Sequence, residues 1–142
     1  MIGKRAKNIT EAQVREHVFG VTPCNDVSER AWQKADLQWF RAKGSDTFGP
    51  MGPSLVRGAD YNKLSLIGRL NGKVVQESST DMLIFPIDTI VSYVSRYVTL
   101  EPGDVVFTGT PGTTQAMKPG DTYEVEIKGL GVLRNTVVAE KR

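Results

Sequence analysis

The sequence feature that most constrains the fold is the Asn71-Gly72 dipeptide, which separates the runs LSLIGRL and KVVQE. Asn and Gly adopt positive φ readily, and a type I′ turn requires two such residues in succession. A two-residue turn of this type joins adjacent antiparallel strands and fixes their register. The sequence therefore predicts a hairpin of strands Leu64–Leu70 and Lys73–Glu77.

Two helices are predicted on either side of this hairpin. The segment Pro86–Tyr97 places its apolar residues on one helical stripe, with a proline near the start where the missing N–H costs nothing. This amphipathic helix is expected to cover one face of a sheet. A shorter helix is predicted over Glu11–Val18, because Thr10 and Gln13 have the spacing of a capping box.

Further strands are predicted from β-branched and aromatic runs bounded by Gly/Pro turns. They are VFGVTPC, Asp104–Thr108, Thr122–Lys128 and Val132–Val138. One or two helical turns are predicted within SERAWQKADLQWFRAK. The fold class is thus α+β, β-rich with about two covering helices. The chain has 142 residues, of which 39% are hydrophobic, enough for a single domain over residues 1–142.

Composition argues against several functional classes. The formal net charge is only +2, and no Lys/Arg cluster with interleaved aromatic residues supports a nucleic-acid partner. No apolar run approaches the roughly 20 residues of a membrane span. The single cysteine, Cys24, excludes an internal disulfide framework and favours a reducing compartment. We therefore expect a cytoplasmic protein without a membrane or nucleic-acid partner.

The loop GTPGTT, which begins at Gly109, is the first candidate site. Small residues after a strand leave backbone N–H groups and hydroxyls free to approach a ligand closely, although a simple turn is an equally good interpretation of this stretch alone. A phosphate-binding P-loop is excluded because its GxxxxGK[ST] spacing is absent.

Two other segments contain candidate polar residues. Asp26 follows an apparent strand, where its carboxylate could face a metal ion or a substrate, or could cap the next helix. Arg30 and Gln33 lie three residues apart and could receive a carboxylate, or could be solvated. Lys43 precedes a Gly/Pro-rich loop, where an ammonium could stabilise a developing negative charge or could simply face solvent. His17 has no partner by motif, and we expect a structural or surface role.

Taken in order, five segments resemble the fumarylacetoacetate hydrolase family. They are VFGVTPCNDVSERAWQ, QWFRAKGSDTFGPMGPSLV, RLNGKVVQESSTDMLIF, VSRYVTLEPGDVVFTGTPGTT and KPGDTYEVEIKGLGVLRNTVV. The resemblance extends to acylpyruvate hydrolases, oxaloacetate decarboxylases and the 2-hydroxyhepta-2,4-diene-1,7-dioate isomerases. It implies a fold of mixed, β-rich sheets, a homodimer, a Mg²⁺ or Mn²⁺ site, and hydrolysis, decarboxylation or isomerisation of a 2-oxo acid, dicarboxylate or β-dicarbonyl.

The same resemblance assigns roles to individual residues. Asp26 corresponds to a metal-binding aspartate, and Arg30 and Gln33 correspond to substrate-contacting positions. Lys43 corresponds to the lysine that faces the substrate oxyanion. Gly109 and Thr110 correspond to the ligand-contacting GTP loop, in which Thr110 offers a hydroxyl.

The sequence departs from the family pattern at its start. Members place two metal-binding glutamates, spaced E-x-E, just upstream of a segment that resembles residues 1–4, and that pair is missing here. The sequence therefore resembles the C-terminal three-fifths of a catalytic module, apparently without its N-terminal part. Two hypotheses follow: a metal-dependent enzyme core, or a truncated, non-catalytic fragment or assembly half that lacks a full metal site.

Overall fold

The chain forms a four-stranded antiparallel sheet that is accompanied by short helices. The computed structural model describes residues 1–140. The strands are β1 (Ser65–Leu70), β2 (Lys73–Ser79), β3 (Thr122–Ile127) and β4 (Gly131–Thr136), in the spatial order β2-β1-β3-β4. The predicted strands Thr122–Lys128 and Val132–Val138 therefore form, with ends shifted by one or two residues.

Four α-helices and two 3₁₀ turns complete the structure. The helices are α1 (Val14–His17), α2 (Arg30–Ala35), α3 (Phe40–Gly44) and α4 (Ile87–Tyr97), and the 3₁₀ turns are Glu11–Gln13 and Thr80–Met82. The α+β prediction is confirmed. Over residues 1–140, none of the helices is long and apolar enough to cross a membrane.

The predicted hairpin is confirmed. Leu70 pairs with Lys73, and Asn71 and Gly72 have φ values of 51° and 80°, as a type I′ turn requires. The ladder contains one irregularity: Gly68 pairs with Gln76, whereas Arg69 pairs with Val74. One extra residue on β2 therefore forms a β-bulge beside Gly68.

Two predicted strands are wrong. The segment Asp104–Thr108 forms no strand; the Asp104 carbonyl accepts one bond from the Ile2 N–H, at 2.8 Å, but no ladder follows. VFGVTPC also forms no continuous strand. Its residues make isolated bridges to two segments: Val18 to Ile2, and Val21 and Cys24 to Val56 and Met51. β-branched residues favour extended backbone, but a strand also needs an unbroken ladder of hydrogen bonds along its length.

The main hydrophobic core lies between α4 and the N-terminal segment. It contains Ile2, Ala6, Ile9, Val14, Tyr61, Ile87, Val91 and Leu100. Two buried serines of α4 bond this segment: the Ser92 hydroxyl donates to the Ile9 carbonyl at 2.8 Å, and the Ile9 N–H donates to Ser95 at 3.1 Å. The expectation that this helix covers one face of a sheet is therefore wrong: the buried side of α4 packs chiefly on N-terminal residues, to which its two serines are hydrogen-bonded.

The predicted helix over Glu11–Val18 forms as a 3₁₀ turn followed by α1. Its start is capped as expected, because the Thr10 N–H donates to the Gln13 side-chain oxygen at 2.9 Å. His17, at the end of α1, is buried, and its ring Nδ1 lies 3.2 Å from the Lys4 carbonyl oxygen.

Candidate active site

The residues around Asp26 lie alongside the segment that follows α3. The Glu29 N–H donates to the Ala42 carbonyl at 2.9 Å, and the Asn25 N–H donates to the Pro50 carbonyl at 3.0 Å. These two bonds hold the extended 24–29 segment beside residues 42–51. Side chains that are 17 positions apart in the sequence are thereby brought into contact.

Asp26 and Lys43 form the charged centre of this region. The Lys43 ammonium donates to Asp26 Oδ2 at 2.5 Å and to the Ser28 hydroxyl at 2.9 Å. The side chains of Lys43 and Asp26 are 30% and 38% exposed, so the pair lies at the surface and a ligand can reach it. Lys43 is therefore held in place by two oxygen acceptors, and among residues 1–140 its third N–H has no acceptor and is available to a ligand.

Arg30 and Gln33 are also in contact, at the beginning of α2. The Glu29 carboxylate caps this helix by accepting the Ala31 N–H at 3.0 Å. The Arg30 guanidinium donates to the Gln33 side-chain oxygen at 2.6 Å and to the Thr114 hydroxyl at 3.1 Å. Arg30 thus joins α2 to the end of the GTPGTT loop.

Gly109 and Thr110 lie along a groove of about 550 Å³. Gly109 has a φ of 130°, which a residue with a side chain rarely adopts. The groove is lined by residues 108–112, by residues of the 78–85 segment, and by Leu66 and Ile90. Gly109 faces Leu83, since a Cβ built there would lie 3.9 Å from its methyl group.

The predicted site residues therefore form two contacting groups and one loop. Asp26 contacts Lys43, Arg30 contacts Gln33, and Arg30 reaches the GTP loop through Thr114. Within residues 1–140 the Thr110 side chain makes no hydrogen bond, so the loop meets the charged groups only through Arg30. The roles of these residues in binding or catalysis stay predictions.

Sequence reasoning missed Gln76, which contacts the same loop from the sheet, and Tyr123, which contacts Gln76. The Gln76 amide donates to the Pro111 carbonyl at 2.6 Å, and the Tyr123 hydroxyl donates to Gln76. The available signal was Gly68, since a glycine within a strand often marks the close approach of another group.

Cys24 precedes Asp26 closely in the chain and is a free thiol. Burial, and to a smaller extent the negative charge of Asp26, raise its pKa to about 11. The thiol is therefore protonated at neutral pH and is a poor nucleophile or metal ligand.

The residues present fit the implied Mg²⁺ or Mn²⁺ site only in part. Over residues 1–140, no three His, Cys, Asp or Glu side chains lie close enough together to hold a metal ion. Asp26 offers one carboxylate, and that carboxylate is already bonded to an ammonium. Hard cations need six or more oxygen ligands, so the described residues by themselves do not form a complete site.

Comparison with known proteins identifies strong similarities. Residues 1–138 match the family model described as fumarylacetoacetate (FAA) hydrolase C-terminal. A protein of Archaeoglobus fulgidus is 46% identical over 97% of this chain and 55% of its own length. The mitochondrial oxaloacetate tautomerase of Xenopus laevis is 42% identical over 97% of this chain and 47% of its own length.

A solved structure gives the same result at the level of the fold. The 5-carboxymethyl-2-hydroxymuconate delta-isomerase of Mycobacterium smegmatis superposes with a TM-score of 0.96 at 41% identity, covering 99% of this chain and 56% of that one. The chain spans about half the length of the curated relatives it matches.

Proposed function

The chain belongs to the fumarylacetoacetate hydrolase family, and on that premise we propose that it contributes the oxyanion- and carboxylate-binding residues of an enzyme acting on a 2-oxo acid or β-dicarbonyl compound. The reaction class is hydrolysis, decarboxylation or isomerisation. These reactions share a chemical problem, because each one develops negative charge on the oxygen of a carbonyl group as an enolate forms. A fixed cation beside that oxygen lowers the barrier.

The observation that carries the proposal is the contact between Lys43 and Asp26, at 2.5 Å. Lys43 is the proposed enolate-stabilising residue. Asp26 and Ser28 hold its ammonium in one place before a substrate arrives, so little reorganisation is needed as charge develops. The partial exposure of both side chains leaves room for a small ligand.

Arg30 and Gln33 are proposed to bind the substrate carboxylate. A guanidinium presents a planar fork of N–H donors that matches a carboxylate, and the amide N–H groups of Gln33 add further donors. Gly109 and Thr110 are the proposed loop contacts, through the backbone N–H groups and the Thr110 hydroxyl. The bond between Arg30 and Thr114 supports this arrangement, because it places the loop beside the proposed carboxylate site.

Asp26 is the residue of this chain that would bind Mg²⁺ or Mn²⁺. Such an ion, when bound, polarises a carbonyl oxygen. Lys43 and Arg30 act through their own N–H donors, which do not depend on this ion.

The test is to compare Lys43→Met with Lys34→Met in turnover of oxaloacetate and of acylpyruvates. Both changes remove one positive charge, but Lys34 is exposed on α2 and its side chain makes no hydrogen bond or ion pair in the described part of the chain. We expect Lys43→Met to lower kcat by about 100-fold or more, as the loss of an oxyanion donor does. Equal activity of the two variants would contradict the assignment of Lys43.

A second candidate is a non-catalytic role in assembly, as one half of a larger unit. It is favoured by the incomplete set of metal ligands among residues 1–140. The two candidates differ in ligand binding: an assembly half needs no affinity for a 2-oxo acid. Calorimetry with oxalate, a planar dianion that resembles an enolised 2-oxo acid, distinguishes them.

A further inference from the structure

The segment that contains the GTPGTT loop is held by few bonds. Within the described part of the chain, residues 105–117 make no backbone–backbone hydrogen bond. Two side chains from elsewhere bond it: Arg30 donates to the Thr114 hydroxyl at 3.1 Å, and Gln76 donates to the Pro111 carbonyl at 2.6 Å. Those two contacts are therefore the side-chain hydrogen bonds that hold the loop to the rest of the described chain.

Gln76 is itself fixed in orientation. An amide side chain can rotate so that its oxygen and its NH₂ group exchange places. The Tyr123 hydroxyl donates to Gln76 Oε1, so the NH₂ group must face the Pro111 carbonyl. Burial raises the pKa of Tyr123, so its hydroxyl keeps the proton that it donates.

Gly68 makes this contact sterically possible. A Cβ atom built on Gly68 would lie 2.6 Å from the Tyr123 hydroxyl oxygen and 3.1 Å from Gln76 Oε1. The bulge in the hairpin keeps Gln76 opposite Gly68 in the ladder. The glycine, the bulge, the tyrosine and the glutamine therefore act together to place one amide group against the loop.

We propose that Gln76, oriented by Tyr123 across Gly68, is a positioning residue that fixes the loop carrying Gly109 and Thr110. The expected effect of Gln76 on ligand binding rests on the proposed function of that loop. The expected effect of Gln76 on the order of the loop does not. Gln76 itself touches the loop carbonyl and is not assigned a contact with substrate.

The test uses Gln76→Glu, which keeps the shape of the side chain and an acceptor for Tyr123 but removes the donor to Pro111. Backbone ¹⁵N relaxation of Gly109 and Gly112 is measured in the wild type and the variant. We expect order parameters near 0.85 in the wild type and below about 0.6 in the variant. Glu77→Ala is the matched control, because Glu77 is the exposed neighbour on β2 and should leave the loop unchanged.

Gly68→Ala supplies a second route to the same effect and leaves residue 76 a glutamine, because the new methyl group would lie 2.6 Å from the Tyr123 hydroxyl oxygen and 3.1 Å from Gln76 Oε1 and must disturb their bond. If it fails to fold, Tyr123→Phe replaces it. Oxalate affinity should fall about fivefold in Gln76→Glu and in Gly68→Ala or Tyr123→Phe, which is the size of effect expected for the loss of one hydrogen bond. The control Glu77→Ala should keep the affinity of the wild type. Unchanged loop order in Gln76→Glu would overturn the proposal. If the wild type does not bind oxalate, the proposed function fails while loop order still tests Gln76.

Discussion

At the scale of single residues, the environment of each polar side chain decides what chemistry it can perform. Lys43 has two oxygen acceptors and a partly exposed side chain, whereas burial raises the pKa of the Cys24 thiol. Lys43 and Cys24 therefore differ in how readily they can act on a ligand, although both lie near Asp26. Of the two, Lys43 presents its polar group where a ligand can reach it.

The raised pKa of Cys24 gives a prediction about its reactivity. A thiol with a pKa of about 11 stays protonated as the pH rises through 9, so alkylation by iodoacetamide should remain slow there. The rate should increase only as the pH approaches 11, and unfolding in urea at pH 8 should restore ordinary reactivity. Half-maximal labelling of the folded protein near pH 8.5 would contradict this account.

The residue types of the candidate site could be predicted from the sequence, but their contacts could not. Asp26 and Lys43 stand out because each carries charge beside a Gly/Pro-rich or strand-like segment. Gln76 does not stand out, because its contact depends on a bulge in the hairpin and on a tyrosine that is 47 positions away. Side-chain contacts of this kind are fixed only by the register of the complete sheet.

At the scale of elements, the hairpin turn does more than reverse the chain. The Asn71 side chain donates to Asp121 at 2.9 Å and accepts the Thr122 N–H at 2.9 Å, so it also fixes the start of β3. The bond from Asn71, followed by that from the Lys118 N–H, lowers the pKa of Asp121. One turn residue thus ties together the three strands β1, β2 and β3.

We predict that Asn71→Gly destabilises the protein although it preserves positive φ at the turn. The loss of two side-chain hydrogen bonds should cost about 1–2 kcal/mol of unfolding free energy in urea titrations. Lys73→Ala, next to the turn and exposed, is the control.

Because the folded pKa of Asp121 is lowered, its stabilising bonds are present above pH 3.8 and are lost as the pH falls further. The difference in unfolding free energy between Asn71→Gly and the wild type should therefore become smaller below pH 3.8. If Asn71→Gly is as stable as the wild type at pH 7, the proposed role of Asn71 is wrong.

The elements that sequence reasoning found are those with a local cause. The Asn71-Gly72 turn and the stripe of α4 are encoded by neighbouring residues, and both formed. The segment Asp104–Thr108 has the composition of a strand, but pairing depends on which distant segment lies beside it. The Asp104 carbonyl accepts a hydrogen bond from the Ile2 N–H, and residues 105–108 pair with no strand.

At the scale of the whole molecule, large apolar side chains remain exposed beside the groove. Met82, Ile84 and Phe85 are 75%, 91% and 62% exposed, and β2 and β4 are the two edges of the sheet. Exposed apolar residues and open edges favour association. We predict a homodimer, and light scattering should give twice the mass of one chain, or about 31 kDa for chains of 15.6 kDa, at about tens of micromolar protein. A monomer at that concentration would count against it.

The set of carboxylates in the whole chain determines how tightly it can bind a metal ion. With one carboxylate as its protein ligand, Mn²⁺ should bind this chain weakly, since an ion held by one carboxylate keeps most of its water. Calorimetry should show further weakening in Asp26→Asn but no change in Asp46→Asn, where the altered residue is exposed and makes no ion pair in the described part of the chain. Tight binding by the unmodified chain would show that other carboxylates complete the site.

The most direct measurement is a crystal structure of the protein grown with Mn²⁺ and oxalate. The central claim is that Lys43, held by Asp26, faces the oxygen on which negative charge develops. We therefore predict electron density for oxalate with one oxygen about 3 Å from Lys43 Nζ and its other carboxylate directed toward Arg30. Oxalate bound away from the Lys43–Asp26 pair, or crystals without bound oxalate at saturating concentration, would contradict the account.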